Sequence, residues 1–179
     1  MKIVPPRRAP DEEQKLSVLS CLEALGPCTE LQLLQFLFEY DLMNYFEMMF
    51  ALNDLCDRGQ AGRTKKQASF LYQVTEAGRE ALRLFGGRVP PSLKTLLSQQ
   101  GPGWKKRFQM EMQNRHSVTQ TDRGEFALNL QVVEQDMDMM RLTLTMPTRE
   151  LAQQLAEKWP QRASRVYDAV IRILTEDDS

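Results

Sequence analysis

Residues 44–85 read NYFEMMFALNDLCDRGQAGRTKKQASFLYQVTEAGREALRLF, and this stretch decides the fold. Asn44 is a good helix cap, and Tyr45, Met48, Met49, Leu52, Leu55 and Cys56 follow at helical spacing on one face. Gly59 ends that helix. Two short strand-like runs come next, Ala61 to Lys65 and Ser69 to Val74, with Phe70 and Tyr72 alternating against Leu71 and Gln73. A polar, basic tip at Lys65, Lys66 and Gln67 joins them. Thr75 is placed to cap a further helix with Ala77, Ala81, Leu82 and Phe85 on its buried side, and Gly86 and Gly87 stop it.

Upstream the pattern is helical twice more. Leu16, Leu19, Leu22 and Leu25 recur every three residues behind Asp11, Glu12 and Glu13, whose charges suit the positive end of a helix dipole. Gly26 and Pro27 end that helix, and Thr29 caps a second over Glu30 to Phe38, with Leu31, Leu34 and Leu37 or Phe38 turned inward. Helix, helix, helix, hairpin, helix is the layout of a winged helix. Residues 1–10 hold three prolines with Arg7 and Arg8, the composition of an extended arm.

Downstream, Pro90 and Pro91 mark a boundary. Ser92 caps a short helix carrying Leu93, Leu96 and Leu97, interrupted by Gly101, Pro102 and Gly103. From Phe108 the period changes to two: Phe108, Met110 and Met112, then Phe126, Leu128, Leu130 and Val132, then Met140, Leu142, Leu144 and Met146. Turns at Asp122-Arg123-Gly124 and at Gln135-Asp136-Met137-Asp138 separate the runs, which predicts a three-stranded antiparallel meander with one apolar face. Two helices should follow, Thr148 to Trp159 and a last one begun by Pro160, on which Val166, Tyr167, Val170, Ile171 and Leu174 pack. The expected class is α+β: a winged-helix domain over 11–89, a linker and helix over 90–107, and a sheet with two helices over 108–179.

Charge limits the functions open to this chain. Its 179 residues carry a formal net charge of -1, and neither half is basic: up to Arg88 there are 11 Lys and Arg against 12 acidic residues, and beyond it 12 of each. Any attraction for nucleic acid must then be local. Cys21, Cys28 and Cys56 form no C-x-x-C pair, and His116 is the single histidine, so no zinc site, disulfide framework or cysteine–histidine pair is expected. No phosphate-binding glycine motif occurs, and no apolar run approaches the ~18 residues of a membrane span. These readings predict a cytoplasmic protein without a cofactor that is not an enzyme.

The runs MNYFEMMFALNDLCDRG and FLYQVTEAGREALRLFGGRVP, with the later spacing of Pro147, Trp159, Tyr167, Ile171 and Leu174, resemble a bacterial family described only as a domain of unknown function with a winged-helix N-terminus. The resemblance runs from about Glu12 nearly to the end. It implies a transcriptional regulator and supplies no ligand, operator or catalytic residue.

Double-stranded DNA is therefore the first expected partner. Candidate contacts are Asn44, Glu47 and Arg58 on the third helix, Arg63, Lys65, Lys66, Gln67 and Ser69 on the hairpin, and the basic run Lys105, Lys106 and Arg107. The outer face of the third helix should carry Glu47, Phe50, Ala51, Asp54 and Arg58. That face is acidic and partly apolar, which suggests the alternative of a module whose Phe50 and Asp54 contact protein in place of DNA. A homodimer, built on the exposed edges of the meander, is expected with either reading. Any small effector is left unidentified.

Overall fold

In a computed structural model, residues 11–66, 69–135 and 137–176 are described. Gln67, Asp136 and the N-terminal Arg7 and Arg8 lie outside those residues. The chain is mixed α+β and divides into two units, residues 1–108 and 109–179.

The first unit starts with helix α1 (Asp11–Leu25), which buries Leu16, Leu19, Leu22 and Leu25 as its spacing predicts. A two-residue strand β1 (Cys28–Thr29) leads into α2 (Glu30–Glu39) and α3 (Tyr45–Asp57). Strands β2 (Ala61–Lys66) and β3 (Ser69–Val74) form the expected hairpin, and α4 (Glu76–Phe85) follows, then a 3-10 turn over Gly86–Arg88. The sheet order is β1-β3-β2, all antiparallel, with Cys28 and Arg63 both opposite Tyr72. Sequence patterning missed β1 because two residues are too few to show a period.

Three of the four expected caps are present; Ser92 instead lies inside the helix that begins at Pro91. Thr29 and Gln32 exchange backbone bonds in a capping box, Asn44 and Glu47 do the same, and the Thr75 hydroxyl accepts from the Gly78 amide at 3.1 Å. The faces differ from expectation. Helix α2 buries Leu33, Phe36 and Leu37 and leaves Leu31 and Phe38 exposed, with Leu34 half-buried. Apolar residues surround this helix, so its sequence does not choose a face. The Gln32 side chain, which accepts from the Thr29 amide and donates to the Phe108 carbonyl at 3.4 Å, must point inward and sets the choice.

On α4, Ala77 and Phe85 are exposed, and Gly78 and Ala81 are buried instead. The cause is a close approach of backbone. A Cβ on Gly78 would lie 2.1 Å from the Gln60 carbonyl oxygen and 2.8 Å from Val74 Cγ2. That carbonyl already accepts from the Thr75 amide at 3.0 Å and is fixed in place.

Helix α5 runs unbroken over Pro91–Gln113, through the Gly101-Pro102-Gly103 segment expected to interrupt it. Gly101 is buried, and a Cβ there would meet the Ala24 Cβ at 3.5 Å, so a small residue lets α5 close on α1. Pro102 and Ser98 are both exposed, so the turn in which the proline removes a helical amide lies on the solvent side of α5. The run from Phe108 to Met112 is helix, not strand. Trp104 and Phe108, one turn apart, meet edge-on with ring centroids 5.4 Å apart, and Trp104 also contacts Phe36 and Tyr40 and donates from its indole to the Tyr40 hydroxyl at 3.1 Å. This tertiary cluster overrides the local alternation. Leu93, Leu97 and Phe108 join the first core, with Leu19, Leu22, Met48, Leu52 and Leu55.

In the second unit, β4 (Asn114–Gln120), β5 (Phe126–Glu134) and β6 (Met137–Met146) form the expected meander. Met137 and Asp138, expected in a turn, open β6, and Gln135 takes a left-handed φ of 48° before it. One sheet face carries Leu128 and Leu130. The other is polar, with Thr143 donating to Asn129 at 2.9 Å and Asn129 to Ser117. A single helix α6 (Arg149–Thr175) covers the apolar face where two helices were expected. Pro160 lies inside it, although a proline there costs about 3 kcal/mol. Two bonds hold the helix on either side of the strain: Trp159 Nε1 donates to the Gln131 carbonyl at 3.2 Å, and Asn114 Nδ2 donates to the Pro160 carbonyl at 2.8 Å. Ala152, Ala156, Trp159 and Ala163 fill the interface.

The fit at Gly78 makes a test. Gly78→Ala should lower unfolding stability by about 1–3 kcal/mol, although alanine is the better helix former. A urea midpoint equal to or above that of the unsubstituted chain would contradict the close approach.

Candidate interaction surface

Helix α3 was expected to bury Tyr45 and expose Ala51 and Asp54. The structure reverses this. Ala51 is buried, Tyr45 is exposed, and Asp54 turns towards α1. The reason is Lys15, which sits in the apolar stripe of α1 with its side chain only 7% exposed. Its ammonium lies 2.6 Å from Asp11, 2.9 Å from Asp54 and 3.5 Å from Glu12. Arg58 adds a 2.8 Å contact to Asp54 and a 3.5 Å contact to Glu12. Two cations and three carboxylates thus clasp the start of α1 to the end of α3.

Lys15 is pushed up to about 12, mainly by its hydrogen bond to Asp11 and then by that to Asp54, against the opposing effect of burial. Its contribution to stability is therefore complete below its ordinary value of 10.5 and is lost as the pH rises through about 12. Asp54 is held below the usual carboxylate range, first by the Lys15 hydrogen bond; burial opposes this and the Arg58 charge assists it. Its contribution is present above 3.8 and is lost as the pH falls below that value.

With Asp54 and Arg58 taken into the clasp, the outer face of α3 narrows to Phe46, Phe50, Asn53 and Asp57. These residues are spaced by four, three and four and share one stripe. Phe46 is 80% exposed and Phe50 66%. Tyr45 packs edge-on against Phe46, with ring centroids 5.6 Å apart, and its hydroxyl donates to Glu30 of α2 at 3.1 Å. Leu31, next to Glu30, is also exposed. The stripe carries no cation, and Glu47 flanks it.

The other candidates fall into separate groups. Asn44 and Glu47 are engaged in their capping box at 3.0 and 3.1 Å. On the hairpin, Arg63 lies over the Phe70 ring at 5.4 Å, and Lys65, Lys66 and Ser69 are exposed. On α5, Arg107 stacks on Trp104 at 4.8 Å, Lys106 is exposed, and the Lys105 stem lies against Gly26. Gly26 precedes β1 at the base of the sheet, whereas Lys66 pairs with Ser69 at the hairpin tip. About five residues, or roughly 16 Å, separate those levels along the strands. The structure therefore does not merge the two basic groups into one patch.

Lys15 and Phe46 are the residues that sequence reasoning missed. The signal for Lys15 was present: a lysine inside an apolar stripe with acids three and four residues earlier.

An open recess of about 420 Å³ between α1, α4 and α5 is lined by Glu23, Ala24, Leu82, Val89 and Lys94, among others. Burial pushes the Cys21 and Cys28 thiols up to about 12, which makes them poor nucleophiles. Among the described residues no group of three or more His, Cys, Asp and Glu is placed to hold a metal ion, and no helix is long and apolar enough to cross a membrane.

Residues 14–174 match the family described as domain of unknown function DUF4364, and the chain belongs to that family. No curated protein and no solved structure matches.

The clasp supplies a second test. Asp54→Asn should lower the urea midpoint at pH 7, and the gap from the unsubstituted chain should narrow as the pH falls through 3.8, where Asp54 of the unfolded chain takes up its proton, and close only below the depressed value of the folded state. A gap of constant size down to pH 3 would show that the effect is not the charge.

Proposed function

We propose that the first unit is a winged-helix interaction module that docks a protein segment on the outer face of α3. The observation that carries this is Phe46 and Phe50, one turn apart and largely open to water where a DNA-reading helix would present polar and basic side chains. Large exposed aromatics in register mark interaction surfaces and supply most hot-spot energy. The stripe ends in Asp57 at the negative end of the helix dipole, with Glu47 beside its first turn. A fitting partner is thus an amphipathic helix with apolar anchors and basic flanks.

DNA contact is the second reading, and the exposed Lys65 and Lys66 with the braced Arg63 favour it. The magnitudes are against it as the main function. Three hairpin cations neutralise at most about three phosphates per chain, whereas specific binders commonly engage about 6–10. The acidic margin of α3 would add repulsion.

A panel of amphipathic peptides with basic flanks, followed by fluorescence polarisation, tests the assignment. A peptide that binds should lose about tenfold or more in affinity, some 1.4 kcal/mol, on Phe46→Ala or Phe50→Ala, and little on Lys65→Ala with Lys66→Ala. Both phenylalanines are exposed, so folding should survive, which circular dichroism would check. The reading fails if the panel is silent while DNA fragments bind at low salt and lose affinity only in the lysine variants.

A further inference from the structure

Helix α6 does not cover its whole sheet. Directly opposed residues of β5 and β6 point to the same face, so Leu128 and Leu144 stand side by side on the apolar face, as do Leu130 and Leu142. Leu128 is fully buried, yet Leu144, one strand further out, is 37% exposed. Asn114 of β4 holds the Pro160 carbonyl, so that flank of α6 lies over β4. The opposite flank, on the side of β6, carries Leu151 and Leu155, and both are exposed. The apolar cover therefore ends at β6.

The backbone of β6 is open on the same side. The Thr121 amide donates to the Glu125 carbonyl at 2.8 Å, and bonding alternates from there along β5. Ala127 and Asn129 thus bond β4, and Leu128 and Leu130 bond Leu144 and Leu142 of β6. Arg141, Thr143 and Thr145 turn their amides and carbonyls outward, where β6 is the last strand of its sheet. Sheet edges are commonly guarded by lysine, proline or a bulge, and Leu142 to Met146 has none of these. The run 140–146, MRLTLTM, also reads almost alike in both directions. Turned about a two-fold axis at Thr143, it sets Leu142 against the second copy's Leu144, Met140 against Met146 and Thr143 against itself. Arg141 meets Thr145 and no like charge. Centring on Arg141 would oppose two guanidiniums, and centring on Thr145 would bring Pro147, which has no amide to give, against Thr143.

We infer that β6 is a self-association edge to which a second copy of the chain adds its own β6 antiparallel, joining two three-stranded sheets into one of six strands. The palindromic run selects this occupant, because only a second copy matches leucine with leucine and threonine with threonine along the whole strand. The axis stands perpendicular to the sheet, so both α6 helices lie on one face and the leucines left open beside each helix line the trough between them. The contact uses the same patch on both copies and closes after two. The inference goes beyond the docking proposed for α3, uses none of its residues and stands or falls separately.

Light scattering on the whole chain over a dilution series tests it, with circular dichroism to confirm folding. The unsubstituted chain should show twice the monomer mass at high concentration and dissociate on dilution. Thr143→Pro removes an amide that the chain's own sheet does not use, so it should be folded and monomeric. Thr143→Lys and Thr143→Glu each oppose like charges across the axis and should weaken the dimer several-fold, whereas an equimolar mixture of the two should regain it. A monomer at every concentration would overturn the inference. So would a dimer that persists unchanged in Thr143→Pro, or a mixture no tighter than either charged variant alone. Should Thr143→Pro fail to fold, the charged pair decides.

Discussion

A lysine that water scarcely reaches governs the first unit. Lys15 lies in the stripe by which α1 meets the core, and its charge has to be met by protein. Asp11 and Glu12 come from its own helix, but the third carboxylate comes from α3, and that demand orients α3 about its axis. Once Asp54 faces α1, Arg58 follows it one turn later, Ala51 is carried under cover, and Phe46 and Phe50 are left outside. The character of the exposed face thus follows from an ion pair on the opposite flank. Removing Asp54 would leave the lysine on Asp11 and Glu12, both of them half exposed.

The same rotation alters the charge available for binding. Taken along the sequence, Arg58 is the one cation on the helix that would read DNA. In the fold it is neutralised by Asp54 and Glu12, and Asn44 and Glu47 are held by each other. What remains for a partner on α3 is apolar and mildly acidic, while the basic side chains sit at the hairpin tip and on α5, at different ends of the sheet. The proposed docking on α3 rests on this division, with the hairpin cations set apart from it.

Much of this was legible in the sequence, and the reasons are specific. Helix positions with one apolar stripe and a good cap, such as α1 and the starts of α2, α3 and α4, follow from local chemistry, because the cap and the period agree. The hairpin was readable because its tip is polar and its strands alternate. The errors arise where long-range contacts choose between local options. Helix α2 is apolar on both faces, and a bond from Gln32 to Phe108, 76 residues away, decides which face turns in. Gly101-Pro102-Gly103 and Pro160 have the composition of helix breaks, yet the edge-on Trp104–Phe108 contact and the Trp159 and Asn114 bonds hold α5 and α6 through them. The candidate site was legible as a conflict of charge on α3. Its resolution was not, because nothing local reveals that Asp54 belongs to Lys15.

The three thiols divide the first unit into zones of different chemical accessibility. Burial pushes all three thiols up, but Cys21 and Cys28 are fully enclosed on α1 and β1, whereas Cys56 on α3 is only half-buried. An alkylating reagent therefore meets Cys56 in the native state but reaches the other two only when the core opens. The chain carries its own clock: the interval between the first modification and the next two records how often α1 and β1 part from the core.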